Sequence, residues 1–164
     1  MKLEQKPKLV VIGLGQELRG DDAVGIEIVR RWELEYPEKA NLPDIQVEIA
    51  GLAGLDLLNL MEGMQAAILV DAVQSGAAPG SLHELGTEEL ASFEAGAGSA
   101  HGWGVAETLA MAEAVGNALP GKLLLLAVEA EDMSLGAGLS PAVQGVLPQA
   151  VERLQEKVIS ILFP

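Results

Sequence analysis

Residues 9–25 read LVVIGLGQELRGDDAVG, an apolar run that leads directly into a glycine-rich turn. The run Leu9–Ile12 is continuous rather than alternating, which is typical of a parallel strand buried on both faces. Two further runs of this kind occur at Ala66–Val70 and Leu123–Val128. We therefore predict three central parallel strands, the first of which is followed by a tight turn.

Two other segments predict strands nearer the edges of the sheet. Ile45–Ile49 alternates apolar and polar side chains, and Ser81–Leu85 is short and mixed in character. Both patterns are expected of strands that have one side more exposed to water.

Apolar stripes at helical spacing lie between the strands. One stripe falls in Val24–Trp32 and another in Val105–Val115. The last helix is predicted to begin with Ser140 as its N-cap and Pro141 as its first residue. Because Pro148 lacks an amide donor, we expect this helix to kink or restart there.

Strands that alternate with helices predict one α/β domain over residues 1–164. We expect a twisted, mostly parallel central sheet with helices on both faces. A chain of 164 residues is about the length of one domain, and it contains no internal repeat and no linker that would divide it.

The composition excludes several classes of function. The chain has 10 Lys and Arg against 24 Asp and Glu, a net charge of −14, which argues against nucleic acid as a partner because phosphate binding needs basic side chains. The absence of cysteine excludes disulfides, thiol nucleophiles and thiolate zinc sites. No apolar stretch approaches the roughly 20 residues that span a bilayer. We expect a soluble cytoplasmic protein without membrane insertion.

The glycine-rich turn is the first indication of function. A dinucleotide fingerprint would need glycine at Leu18, and Asp21 and Asp22 would repel a pyrophosphate at the helix N-terminus, so a nucleotide-binding domain is a weaker alternative. Each acid alone is most simply a helix cap. Two adjacent acids exceed what one cap requires, and they follow a central strand at the edge where open α/β sheets bind ligands.

Two more residues are predicted to converge on these acids. Asp71 ends the second central strand, so a strand order of 2-1-3 would bring Asp22 and Asp71 to one crevice across 49 sequence positions. His101 lies in a loop before the next helix. Taken singly, Asp71 is more simply a turn former and His101 a surface histidine. Together, two carboxylates and an imidazole fit an open divalent-metal site.

One alternative to this metal site remains. Asp22 and Asp71 could instead share a proton as an aspartic dyad. His83 is expected to be only a partly exposed strand residue beside an acid, and Trp32 and Trp103 to be packing residues.

Six short motifs occur in order along nearly the whole chain. They are Gly13-Leu14-Gly15 through Asp21-Asp22-Ala23-Val24-Gly25, Gly51 and Gly54 before Leu57-Leu58, Asp71-Ala72-Val73, Ala78-Pro79-Gly80, Ser99-Ala100-His101, and Gly138-Leu139-Ser140-Pro141. In this combination the sequence resembles the hydrogenase maturation endopeptidases. Members of that family remove the C-terminal extension of the large subunit of nickel-iron hydrogenases.

The resemblance implies a function and a set of metal-contacting residues. Asp22, Asp71 and His101 would contact nickel that is already inserted in the precursor of the large subunit, so the metal arrives with the substrate. Another divalent cation could occupy the site in the isolated protein. The alternative is a non-catalytic module that binds a metallated partner.

Several positions depart from the pattern of the family. Gln16 stands where the family usually has Asn, Ile49 and Leu52 replace more polar residues, and Glu129 and Ala130 differ from a proline-containing segment. We interpret these differences as marks of a subgroup that serves a different hydrogenase.

Overall fold

The computed structural model describes residues 7–51, 55–94 and 104–164. The strands are β1 (Leu9–Leu14), β2 (Ile45–Ala50), β3 (Ala66–Val73), β4 (Leu82–Gly86) and β5 (Lys122–Glu129). The α-helices are α1 (Val24–Glu35), α2 (Pro37–Ala40), α3 (Leu55–Met61), α4 (Thr87–Glu94), α5 (Val105–Ala114) and α6 (Pro141–Leu162), and a 3-10 turn covers Gly20–Ala23. Within the described ranges, no helix has the length and apolarity needed to cross a membrane.

One sheet contains all five strands in the order β2-β1-β3-β5-β4. β1 is parallel to β2 and β3, and β3 is parallel to β5, whereas β4 joins β5 in the antiparallel direction. The five predicted strands and the predicted order of the first three are therefore confirmed. The two segments expected near the edges form the two edge strands.

Helices cover both faces of the sheet, as predicted, because successive side chains of β1 enter two different cores. Leu9 and Val11 pack in a cluster with the apolar faces of α1 and α6. Val10 and Ile12 pack on the opposite face with residues of α3, α4 and α5. Every residue of β1 is buried, which explains why its sequence shows no alternation.

A buried hydrogen bond joins the two helices on the first face. The Trp32 indole nitrogen on α1 donates to the Gln155 side-chain oxygen on α6 at 2.8 Å, and Trp32 is fully buried. The bond satisfies a polar atom that would otherwise be costly to bury. The expectation that Trp32 is a packing residue is confirmed, while Trp103 lies outside the described residues.

Two helices differ in detail from the prediction. α6 continues from Pro141 to Leu162 with Pro148 inside it, so of the kink or restart expected at Pro148, the restart does not occur. Its buried stripe continues on the same face on both sides of the proline, and this packing outweighs the missing hydrogen bond. α5 ends at Ala114, and Val115, expected in its apolar stripe, is 65% exposed.

The first turn of α1 lies unusually close to the sheet at Gly25. A β-carbon at this position would lie 2.2 Å from the Val70 carbonyl oxygen and 2.5 Å from the Leu14 carbonyl oxygen. Both oxygens belong to backbone at the carboxyl ends of central strands and cannot move aside cheaply. The predicted role of Gly25 is confirmed, and the helix start is fixed against β1 and β3.

We predict that Gly25→Ala lowers the free energy of unfolding by about 3 kcal/mol or more, because the added methyl must displace strand backbone. Gly145→Ala is the matched control, since a β-carbon there meets nothing within 4 Å in the middle of α6. The control should gain about 0.5–1 kcal/mol from lower chain entropy in the unfolded state. Urea denaturation of both variants measures this, and equal stabilities would contradict the close approach.

Candidate active site

The carboxyl ends of the parallel strands form the edge where the candidate residues lie. Asp71 follows Val70 in β3, and the start of α1 contacts the Val70 carbonyl through Gly25. Asp22 precedes Gly25 by three residues, in the 3-10 turn that joins β1 to α1 and packs against β3. The structure therefore places Asp22 and Asp71 at one edge of the sheet, as the strand order predicts.

The glycine-rich turn folds back over Asp22. The Asp22 side chain is only 1% exposed, and its Oδ2 accepts a hydrogen bond from the Gln16 amide at 3.0 Å. A β-carbon on Gly15, whose φ is +140°, would lie 1.9 Å from the Asp22 carbonyl oxygen, so only glycine fits. Because Gln16 donates through its main chain, the departure from the Asn of the family leaves this bond intact.

Of the other two predicted metal-contacting residues, the structure describes only Asp71. Asp71 is half-buried in β3, and its Oδ1 accepts the Ala72 amide at 2.8 Å. His101 lies outside the described residues. Among residues 7–51, 55–94 and 104–164, no three His, Asp or Glu side chains form a group that could hold a metal ion. The full trio of Asp22, Asp71 and His101 stays a prediction.

Asp21 holds together the two loops at this edge. Its carboxylate is fully buried and accepts hydrogen bonds from the Glu131 and Asp132 amides, the Ser140 amide and the Ser140 hydroxyl, at 2.7–3.0 Å. Ser140 is the N-cap of α6 and Pro141 is its first residue, as predicted, but the Ser140 hydroxyl donates to Asp21 and does not cap the first turn of the helix. The role of Asp21 is structural.

Hydrogen bonding lowers the pKa of Asp21. Burial on its own would raise the pKa of this carboxyl, but the bonds from the Ser140, Asp132 and Glu131 amides and the Ser140 hydroxyl together hold it below its usual value. Asp21 is therefore a carboxylate at neutral pH, and both of its oxygens are engaged by the loop after β5.

A second buried carboxylate fixes the loop that follows Asp71. Glu129, at the end of β5, is 2% exposed. Its Oε1 accepts the Ser75 and Gly76 amides at 2.7 and 3.1 Å, and its Oε2 accepts the Ser75 hydroxyl at 2.8 Å. The His83 ring nitrogen Nε2 lies 3.1 Å from the same Oε2. The loop after β3 is thus attached to β5 and β4.

His83 is a partly exposed residue of the edge strand β4 beside Glu84, as predicted. Its contact with Glu129, and the bonds from Glu129 to the loop after β3, could not be predicted from the sequence. Glu84 itself pairs with Arg153 and Lys157 of α6 at 3.1 and 2.8 Å. The sequence does show that Glu129 ends an apolar run in the same way that Asp71 does.

The four acids at this edge divide into two groups by their surroundings. Asp21 and Glu129 accept structural hydrogen bonds on both oxygens. Asp22 and Asp71 are the other two acids, and they are the ones that the strand order predicts for chemistry at this edge. Carboxylate oxygens combined with an imidazole are suitable ligands for a first-row divalent cation. The segment from residue 40 to residue 121 contains no Lys or Arg, so it adds no positive charge to repel a cation.

Comparison with known proteins identifies a family that the chain matches. A family model described as hydrogenase maturation protease matches residues 26–157. The chain is 32% identical over 149 residues to the Hydrogenase 2 maturation protease of Escherichia coli strain K12, covering 90% of this chain and 88% of that protein. It is 31% identical over 148 residues to the hydrogenase expression/formation protein HupD of Rhodobacter capsulatus, covering 88% of this chain and 68% of that protein.

Solved structures show the same similarity. The hydrogenase maturating endopeptidase HybD from Escherichia coli superposes with a TM-score of 0.75 at 30% identity, covering 93% of each chain. The solution structure of an endopeptidase from Escherichia coli superposes with a TM-score of 0.77 at 28% identity, again covering 93% of each chain. The similarity extends over sequence and fold together.

We predict that Asp21→Asn costs about 2 kcal/mol or more of stability at neutral pH, because the amide group cannot accept all four hydrogen bonds. Since the folded-state pKa of Asp21 is lowered, its contribution is fully present above the unfolded-state value near 3.9 and is lost as the pH falls through the folded-state pKa. Urea denaturation at neutral and acid pH should show the gap between wild type and variant narrowing below about pH 4. A gap that widens in acid would contradict this assignment.

We predict that Glu129→Gln lowers the free energy of unfolding by about 2 kcal/mol, because an amide nitrogen cannot accept the hydrogen bonds that one of the carboxylate oxygens accepts. Glu131→Gln is the matched control. Glu131 lies two residues from Glu129 and is exposed, and it bonds Asp21 through its main-chain amide, which the substitution leaves in place. Thermal and urea unfolding compare the two variants. A loss no larger than that of the control would show that the Glu129 contacts contribute little.

Proposed function

Because the chain belongs to the hydrogenase maturation protease family, we propose that it removes the C-terminal extension of an immature nickel-iron hydrogenase large subunit. The predicted family is confirmed, and the relatives of the chain are proteases. The observation that supports a specific site is the position of Asp22 and Asp71 at one sheet edge, on segments held by the close approach of Gly25 to Val70.

Nickel in the precursor is the proposed recognition element. Two carboxylates and the imidazole of His101 would contact the metal, leaving its remaining positions to the precursor that carries it. The strongly acidic composition favours a cation-bearing partner. In the isolated protein, another divalent cation could take the same place.

The hydrolysis itself needs a water positioned at the scissile carbonyl. Water adds to the carbonyl carbon, the C–N bond breaks, and the departing nitrogen takes a proton. One route activates the water through an Asp22–Asp71 pair that shares a proton. The other relies on the metal to polarise the carbonyl and lower the pKa of the water. Asp22 and Asp71 are required in both routes.

We predict that Asp22→Asn, Asp71→Asn and His101→Ala each reduce processing of the nickel-loaded precursor by at least about 100-fold, as expected for groups that act on the reacting centre. Asp44→Asn is the control, because it makes the same change in a half-exposed acid beside the start of β2, at the opposite edge. Intact mass spectrometry follows release of the C-terminal peptide, and thermal unfolding verifies that each variant folds.

Three outcomes of this experiment are informative. Loss of processing in the trio variants, with activity kept in Asp44→Asn, supports the site. Retained processing in both Asp22→Asn and His101→Ala contradicts it. A stable complex between wild type and precursor without any loss of mass would favour the binding module over the protease.

A further inference from the structure

Two exposed leucines lie beside the candidate active site on different loops. Leu18, in the glycine-rich turn, is 66% exposed, and Leu135, in the loop between β5 and α6, is 83% exposed. Single exposed leucines are ordinary on protein surfaces, whereas a contiguous apolar patch marks a site of interaction. Leu18 and Leu135 form one patch only if their loops bring them next to each other.

The backbone pairing of the two loops makes them neighbours. Arg19 and Gly136 form a parallel β-bridge, in which Gly136 donates to the Leu18 carbonyl and Gly20 donates to the Gly136 carbonyl, both at 2.9 Å. Leu18 and Leu135 each precede the bridged residue of their loop, so they are in register across the bridge. Paired strands lie about 4.8 Å apart and residues in register present the same face. We call Leu18 and Leu135 the rim pair.

The rim pair is held in place before any partner binds. Asp21 attaches the loop that carries Leu135 through four hydrogen bonds to its fully buried carboxylate, and its own amide donates to the Asp132 carbonyl at 2.9 Å. Little backbone conformational entropy is therefore lost when this surface is covered, which favours binding.

The position of the rim pair connects it with the substrate. Leu18 is four residues from Asp22 along the chain, a separation of at most about 14 Å. A standard protein interface covers about 800 Å² on each partner, which corresponds to a disc of about 16 Å radius. An interface of this size that is centred on Asp22 therefore includes Leu18, and Leu135 lies beside Leu18 across the bridge.

The surroundings of the rim pair define the chemistry of the partner. The exposed acids Glu131 and Asp132 lie on the same loop as Leu135. A cleft of about 180 Å³ next to this loop is lined by Ile26, Ala23 and Leu139, with the Glu17–Arg30 ion pair also in its wall. An apolar surface bordered by Lys and Arg is complementary to this arrangement.

We propose that the rim pair docks onto an apolar, basic-bordered surface of the folded large-subunit precursor and supplies much of the binding affinity outside the catalytic crevice. The inference rests on the proposed function, because the precursor is the partner that the candidate site requires. Leu18 and Leu135 do not take part in the hydrolysis, so their removal should weaken binding while leaving the chemical step intact.

The test compares the double variant Leu18→Ser/Leu135→Ser with Leu34→Ser. Leu34 is the control because it is 81% exposed and lies about 15 Å further along α1 from Val24, toward the opposite edge of the sheet. Binding of the nickel-loaded precursor is measured by biolayer interferometry, and cleavage is measured separately by mass. The double variant should raise the Kd and the KM by at least about tenfold, with the rate at saturating precursor unchanged and Leu34→Ser behaving as wild type.

Other outcomes would overturn the inference. An unchanged Kd in the double variant, or no measurable binding of the precursor by wild type, excludes the rim pair as its docking surface. A wild-type dimer that the double variant converts to a monomer in sedimentation velocity would assign the patch to a second copy of the chain. Salt-independent binding of the precursor would overturn the assignment of basic residues to the partner.

The design separates this inference from the proposed function. If wild type binds the precursor and the double variant does not, but neither cleaves it, the docking surface stands and the protease assignment fails. If wild type cleaves the precursor and the double variant has an unchanged Kd and KM, the protease assignment stands and the docking surface fails. Unchanged thermal unfolding of the double variant shows that the loops remain folded.

Discussion

The Asp21 carboxylate is the constraint on which the carboxyl edge of the sheet depends. It lies in the turn after β1, yet its hydrogen-bond donors come from the loop after β5, between 110 and 119 positions away in sequence. The Asp21 carboxylate is fully buried, so loss of these donors would leave a buried charge without hydrogen bonds, which is costly. The geometry of the turn around Asp22 therefore depends on a loop from the other end of the chain.

The sheet could be predicted from the sequence because strands that are buried on both faces have continuous apolar runs. The runs at Leu9–Ile12, Ala66–Val70 and Leu123–Val128 are continuous since each lies in the middle of a doubly covered sheet. The position of Asp22 and Asp71 at one edge followed from strand order alone. The sequence pattern of a strand is sufficient to predict the position of a residue when that position depends only on the strand and the turn that follows it.

The remaining contacts could not be predicted because their partners are distant in sequence. Nothing local distinguishes Asp21 from an ordinary helix cap, and the Ser140 hydroxyl looked like the cap of α6 until its partner was seen to be Asp21. Glu129 and Ser75 are separated by 54 positions. The continuity of α6 through Pro148 could not be predicted for the same reason, since the packing that keeps the helix continuous comes from other elements.

The acids at this edge carry out two different tasks. Asp21 attaches the loop after β5 to the turn after β1, and Glu129 attaches the loop after β3 to the end of β5. Asp22 and Asp71 lie between these anchored loops, on segments whose backbone cannot shift because Gly15 and Gly25 are in contact with neighbouring chain. A preordered acidic crevice is suited to recognising a metal that is already bound in a folded protein, since no rearrangement is needed on contact.

In the proposed function, nickel in the precursor controls cleavage. The most direct measurement is the intact mass of the cognate large-subunit precursor, prepared with and without nickel, before and after incubation with this protein. We predict loss of a C-terminal peptide from the nickel-loaded form alone. Equal loss from both forms would contradict the role of nickel and favour an aspartic dyad, and loss from neither form would contradict the protease assignment itself.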